Sequence, residues 1–199
     1  MSERVLVIAC GALARELMDV IKGSGLHWVD VECLPASLHN TPKKITAAVA
    51  ERLDRAAGRY RNIFVGYADC GTGGDLDRLL EERGIERLPG AHCYEFFAGG
   101  TNFAALHDAD PATFYLTDFL AKHFERLVWG GLGLDRWPQL RDDYFGNYRR
   151  LIYLSQIDSP VLVEKARAAA QRLGLDFEHQ HVGYGDFQPA LLVASDQTR

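Results

Sequence analysis

The sequence predicts an α/β fold: a parallel, Rossmann-like sheet flanked by helices, built either as a single compact domain over 1–199 or as two similar lobes, 1–110 and 111–199. Three observations lead there. Short runs that are apolar along their whole length, such as Val5-Leu6-Val7-Ile8-Ala9, suit strands buried on both faces of a parallel sheet. Each such run is followed by apolar residues at helical spacing, the rhythm of right-handed β-α-β crossovers. A strand–turn–helix order then appears again, less regularly, in the second half.

After the first strand, Leu13, Leu17, Val20 and Ile21 recur at helical spacing, and Gly23 and Gly25 close the helix. Trp28 to Leu34 reads as the second strand. The loop "PASLHN" leads to a helix with Thr41 as cap, Pro42 at its first position, and Ile45, Val49 and Leu53 as its buried stripe. Ile63 to Tyr67 is the third strand and "DCGTGGD" its turn. A third helix with Leu76, Leu79 and Leu80 inward closes near Gly84, before a short strand, Ile85 to Leu88. In the second half, Phe114 to Leu116 is a strand, and Thr117 caps a helix that buries Phe119, Leu120, Phe124 and Leu127. The stretch 129–150, rich in glycine and aromatics, predicts turns and short helices. Arg150 to Ser155 is a strand, Pro160 to Leu173 a helix capped by Ser159, and Phe177 to Val182 the last strand; the tail is apolar to Ala194 and polar beyond it.

With 199 residues, 47% of them hydrophobic and 25% charged, the chain can bury a sizeable core. A net charge of −5 without any run of Lys and Arg argues against nucleic acid as a partner. No apolar stretch approaches the roughly 20 residues that cross a bilayer, and Met-Ser-Glu-Arg runs straight into a strand with no secretion signal. A cytoplasmic protein with reduced thiols is expected, and no CxxC pair marks a redox motif or zinc ribbon.

The first and third strands both run into Cys-Gly, at Cys10-Gly11 and Cys70-Gly71, and Cys93 follows the fourth. If the strands are parallel, all three thiols emerge at the carboxyl edge of the sheet, where ligand sites of open α/β sheets lie. Thiolates from three strands would make a pre-organised site for a soft metal or an iron–sulfur cluster, so the metal ligands expected are Cys10, Cys70, Cys93 and His92. Cys33 shares a side with Val29 and Val31 and is expected in the core. "CGTGGD" opens a helix and matches neither the Walker nor the full dinucleotide pattern; Gly71, Gly73, Gly74 and Asp75 are expected to bind a cofactor anion, or simply to form a tight turn with Asp75 as cap. Cys70 is also a candidate nucleophile, its pKa lowered by the helix start, and His39 a candidate proton carrier beside it. His27, His107, His123, His179 and His181 read as surface residues. Trp129, Trp137, Tyr144, Phe145, Tyr148 and Tyr153 line either a cofactor pocket or ordinary core, with Arg149 and Arg150 beside them for an acidic ligand or for surface carboxylates.

The blocks "ACGALARE", "LPASLHNTP", "GYADCGTGGD", "LPGAHCYEFFAG", "FYLTDFL" and "YFGNYRRLIYL" together resemble the domain-of-unknown-function family 1638 over about the whole chain. The resemblance implies an association with corrinoid-dependent methyltransferase systems. The chain itself lacks the Asp-x-His-x-x-Gly motif of a cobalamin lower ligand. Together these readings predict a metal- or iron–sulfur-binding protein of corrinoid-dependent methyl transfer or C1 metabolism, holding a [4Fe–4S] cluster in preference to zinc. The alternatives are a non-catalytic accessory module for a corrinoid protein or methyltransferase component, and a metal-free enzyme with Cys70 as nucleophile. In each case a small-molecule ligand, no nucleic acid and no membrane are expected.

Overall fold

The computed structural model describes residues 3–195. The chain divides into two units, residues 1–96 with 186–199, and residues 97–185. All strands pair in parallel within two sheets, which is the predicted α/β, Rossmann-like class.

Unit 1 contains β1 (Val5–Cys10), α1 (Ala14–Gly23), β2 (Val29–Leu34), α2 (Ile45–Ala56), β3 (Asn62–Gly66), α3 (Asp75–Arg83) and β4 (Glu86–Arg87), in sheet order β2-β1-β3-β4. Val5 to Ala9 are fully buried at its centre, as their unbroken apolar run requires. Leu6 and Ile8 of β1 pack with Val65 against Val49 and Leu53 of α2 and Leu80 of α3. The chain steps from β1 outward to β2, then crosses back over β1 to β3, so the strand order reverses between β1 and β3. Crevices at such a reversal are where open α/β sheets bind ligands. Gly66 lets the two strands close up there: a Cβ at Gly66 would lie 2.8 Å from the Cβ of its register partner Ala9.

Two local expectations change. Pro42–Lys44 is a 3₁₀ turn and α2 begins only at Ile45, with no capping bond from the Thr41 side chain. Cys33 is exposed rather than buried, on β2, the edge strand of the sheet. The loop after β4 leads into α4 (Cys93–Ala98).

Unit 2 opens with α5 (Gly100–Ala109), which joins it through the bond from Arg150 Nη2 to the Leu106 carbonyl, 3.2 Å, and the Phe103–Tyr115 ring contact at 5.1 Å. These ties place the first unit boundary at 96/97, where the sequence places a lobe boundary at 110/111. There follow β5 (Thr113–Leu116), α6 (Asp118–Lys122), α7 (Leu140–Phe145), β6 (Arg150–Ser155), α8 (Pro160–Leu173) and β7 (Asp176–His181), with sheet order β5-β6-β7. Its core is built on Leu116, Phe124, Leu134, Leu151, Tyr153 and Ala170. α8 starts as its sequence dictates, with Ser159 accepting the Leu162 N–H at 3.4 Å and Pro160 in the first turn. The helix expected from Phe119 to Leu127 is interrupted at His123 and continues as a single π turn, Glu125–Trp129.

The last helix, α9 (Phe187–Ala194), returns to unit 1. Phe187 stacks on Phe96 at 5.5 Å, and the Ala194 and Ser195 carbonyls accept bonds from Asn62 (3.3 Å) and Trp28 (2.9 Å). The polar end expected beyond Ala194 lies largely outside the described residues. Among the described residues no helix is long and apolar enough to cross a membrane.

Candidate metal centre at the carboxyl edge of the first sheet

Three segments of unit 1 meet at this edge. β1 ends in Cys10, whose register partner is Leu34. β3 ends at Gly66 and continues as Tyr67-Ala68-Asp69-Cys70. After β4, Leu88 donates its N–H to the Val65 carbonyl at 3.0 Å, keeping the third segment alongside. The main chain then locks the second segment to the third: Asp69 N–H donates to Gly90 O at 3.1 Å and Cys70 N–H to Ala91 O at 2.8 Å. These bonds set Cys70 beside His92 and Cys93, while the pairing of β1 with β3 supplies Cys10.

The thiols sense one another. Burial, then the charge of Cys10, push the Cys70 thiol up to about 12. Burial raises Cys93 well above the ordinary thiol range, with Cys70 and Cys10 adding to it. Cys10 is raised by burial, partly relieved by the Ala12 backbone and then by the Tyr67 hydroxyl. Tyr67 itself is only 2% exposed, and its oxygen lies buried without a conventional hydrogen-bond partner. Desolvation, followed by the nearby charges of Cys10, Cys70 and Cys33, raises its pKa far above the usual phenol value. A buried phenol without a hydrogen-bond partner, close to cysteine thiols, is the most unusual feature of the edge, since buried hydroxyls are ordinarily satisfied.

Cys70 also carries backbone strain. Its φ is +50°, and it is the one non-glycine in the left-handed region among the described residues. The bond to Ala91 holds it there.

The glycine-rich loop has a different occupant from the one expected. Gly71, Gly73 and Gly74 direct their N–H groups at the Asp69 carboxylate, at 3.1, 3.3 and 3.0 Å, and Thr72 Oγ1 donates to it at 2.7 Å. The loop's own anion therefore fills the concavity read from sequence as a cofactor site on Gly71, Gly73, Gly74 and Asp75. Asp75 pairs with Arg78 instead, and Gly74, at φ +82°, caps α3 in its place. Burial pushes the Asp69 pKa up, but the bonds from Thr72, Gly74, Gly73 and Gly71 outweigh it and hold the carboxyl at about 2. A carboxyl depressed in the fold contributes stability that is complete above its unfolded pKa of about 3.9 and is lost as the pH falls toward about 2. We expect Asp69→Asn to flatten the decline of stability across that acid window, as read from urea midpoints; an unchanged slope would refute the assignment.

The same loop bears on Cys70, the candidate nucleophile. The loop amides of Gly71, Gly73 and Gly74 are turned to Asp69, whose negative charge adds to the rise of the thiol, against lowering by the Ala68 backbone and Arg87. A thiol near pKa 12 is almost entirely protonated at neutral pH.

His39 lies on the 3₁₀ turn Ala36–Asn40, and burial, then the proximity of His92, lower its pKa. His92 is lowered by burial, against the pull of Asp69 and Glu95. The two imidazoles thus share one neighbourhood and stay neutral there. Arg87 braces the third segment, binding both Asp77 oxygens at 2.6 and 2.9 Å and the Leu88 carbonyl at 2.6 Å. Glu95 accepts the Ala91 N–H at 2.7 Å, fixing the turn before Cys93.

Sequence reasoning brought Cys10, Cys70, Cys93, His39 and His92 to this edge and missed Tyr67 and Asp69. An acid two residues before a glycine-rich stretch was the available signal for Asp69. The aromatic cluster divides: Phe145 and Tyr153 are core, while Trp137 and Tyr144 are exposed. Arg149 pairs with Asp110 at 2.8 Å, and Arg150 with Thr113 at 2.7 Å and Glu178 at 3.3 Å.

The donor chemistry suits a soft metal, with the Cys10, Cys70 and Cys93 thiols close enough to feel one another's charge and a buried phenol beside Cys10 and Cys70. Among the described residues, however, no three His, Cys, Asp or Glu side chains are grouped as metal ligands. Loading a metal therefore calls for side-chain rearrangement on a backbone already held in place. No curated protein and no solved structure is significantly similar to this chain. Residues 33–191 match the family described as protein of unknown function (DUF1638), a span that leaves β1 and Cys10 outside. With most of its length inside that match, this chain belongs to the DUF1638 family.

Proposed function

We propose that this protein holds a soft metal centre on Cys10, Cys70 and Cys93, a [4Fe–4S] cluster in preference to zinc, and acts in corrinoid-dependent methyl transfer or C1 metabolism. The observation that carries the reading is the buried Tyr67 hydroxyl, without a hydrogen-bond partner and close to the Cys10 and Cys70 thiols of separate segments at the strand-order reversal. Raised thiol pKa values are compatible with it, because metal binding displaces the protons that burial retains. Three cysteine ligands leave one iron of a cubane cluster open to substrate, while addition of His92 would complete a Cys₃His zinc site.

When bound, such a centre supplies an open coordination position to a substrate. The chain does the rest. With such a centre bound, Tyr67 would be placed to donate its O–H to a nearby sulfur ligand and so tune its basicity. His39, neutral beside the site, accepts or returns a proton. The setting in corrinoid chemistry follows from the family resemblance, and a corrinoid protein or methyltransferase component is the partner proposed.

Protein purified without oxygen should carry about four irons and four sulfides per chain, as one cubane cluster requires. Stoichiometric zinc without sulfide would favour the zinc form. Protein that is metal-free and takes up neither zinc nor iron and sulfide on reconstitution would end the proposal.

A further inference from the structure

Unit 2 has its own constellation at the end of its central strand. β-strand alternation puts His179 and His181 of β7 on one face, and their register partners on β6 are Tyr153 and Ser155. His179 Nε2 lies 2.9 Å from the Ser155 hydroxyl oxygen and His181 Nδ1 lies 3.1 Å from the same atom. Two imidazole nitrogens therefore converge on one point. Ser155 is 1% exposed, so that point is fixed by the sheet, whereas both histidines are exposed on an edge strand.

The arrangement is braced from behind. The His179 ring stacks on Tyr153 at 5.1 Å with an interplanar angle of 16°, and Tyr153 donates its O–H to buried Asp118 at 2.5 Å. Support of this kind keeps an imidazole oriented for ligation. Ser155 has one proton and can donate to only one of the two rings, so the other ring must donate to it. A cation seated between the two ring nitrogens and the hydroxyl oxygen would use both ring lone pairs.

We propose that His179 and His181, with the Ser155 hydroxyl, form a second metal site that takes a divalent transition ion of the zinc class. His-x-His on a strand is a spacing at which both imidazoles can serve one ion, and a site of two imidazoles and one hydroxyl leaves its remaining positions to water. All four cysteines lie in unit 1, so an ion held here has nitrogen and oxygen ligands only. The site thus stands or falls independently of the thiol centre.

Cobalt(II) added to the intact chain under anaerobic conditions tests it. Occupancy here should shift the ring resonances of His179 and His181 and add weak ligand-field bands, whether or not the unit 1 thiols give thiolate-to-cobalt charge transfer. Loss of an oriented partner lowers metal affinity about 10- to 100-fold, so His179→Gln or His181→Gln should weaken binding by at least about tenfold, and Ser155→Ala by about tenfold. Each variant should keep a cooperative melting transition, so that weakened binding is read on folded protein. Unshifted ring resonances, or unchanged cobalt affinity in the double histidine variant, would overturn the proposal.

Discussion

Cys70→Ser is expected to strip the protein of its metal. In anaerobic preparations, iron or zinc per chain should fall at least about tenfold, the scale on which lost ligand support acts. Cys10→Ser and Cys93→Ser should do the same, since a serine oxygen is a poor ligand for the soft ions that thiolates select. Cys33→Ser should retain the metal in full. Cys33 lies near enough to feel the charge of Cys10, but it sits one residue out of step: Leu34, not Cys33, is the register partner of Cys10, so Cys33 points to the opposite face. Tyr67→Phe should fall between these extremes, keeping its ring in the core while losing the buried hydroxyl close to Cys10 and Cys70. Each variant needs a melting curve, because Cys70 sits at φ +50° in a loop tied to Gly90 and Ala91, and a misfolded loop would mimic ligand loss. Full metal in any of the three predicted ligand variants, or equal loss in Cys33→Ser, would refute the assignment.

The backbone logic of unit 1 was readable because its signals are local. An unbroken apolar run means a strand covered on both faces, and parallel strands must send their following residues to a common edge. From Val5–Ala9 and Ile63–Tyr67 alone, Cys10 and Cys70 could be placed together. What could not be read is which groups satisfy one another across that edge. "DCGTGGD" looks identical whether its amides await a ligand or enclose Asp69, because the difference lies in the left-handed residues 70, 71, 73 and 74 acting in concert. Strand order was equally hidden: Cys33 has the pattern of a core residue and is exposed because β2 forms the sheet's edge. His179 and His181 read as ordinary surface residues because the feature that distinguishes them, Ser155 on the neighbouring strand, is remote in sequence.

Asp118→Ala should be the most destabilising single change in unit 2. Asp118 is 1% exposed and follows β5 directly, so its carboxylate lies at the carboxyl edge of the second sheet. It accepts the Tyr153 O–H at 2.5 Å, the Gln156 N–H at 3.1 Å and the Ile157 N–H at 3.2 Å, while its own N–H donates to Gln156 Oε1 at 2.9 Å. This latch joins the turn after β6 to the end of β5. Alanine leaves a phenol and two amides without their acceptor, and a buried donor so orphaned costs about 1–3 kcal/mol. Water entering the space would recover part of that, which sets the expected loss at about 3–5 kcal/mol, near the upper end for point substitutions. Tyr153→Phe removes one donor and keeps the ring against His179, so it should cost only about 1–2 kcal/mol. Urea unfolding of the intact chain, followed by backbone amide exchange in β5 and β6, distinguishes the two. Equal losses for the variants would mean that Asp118 serves Tyr153 alone and that the turn at Gln156–Ile157 holds itself.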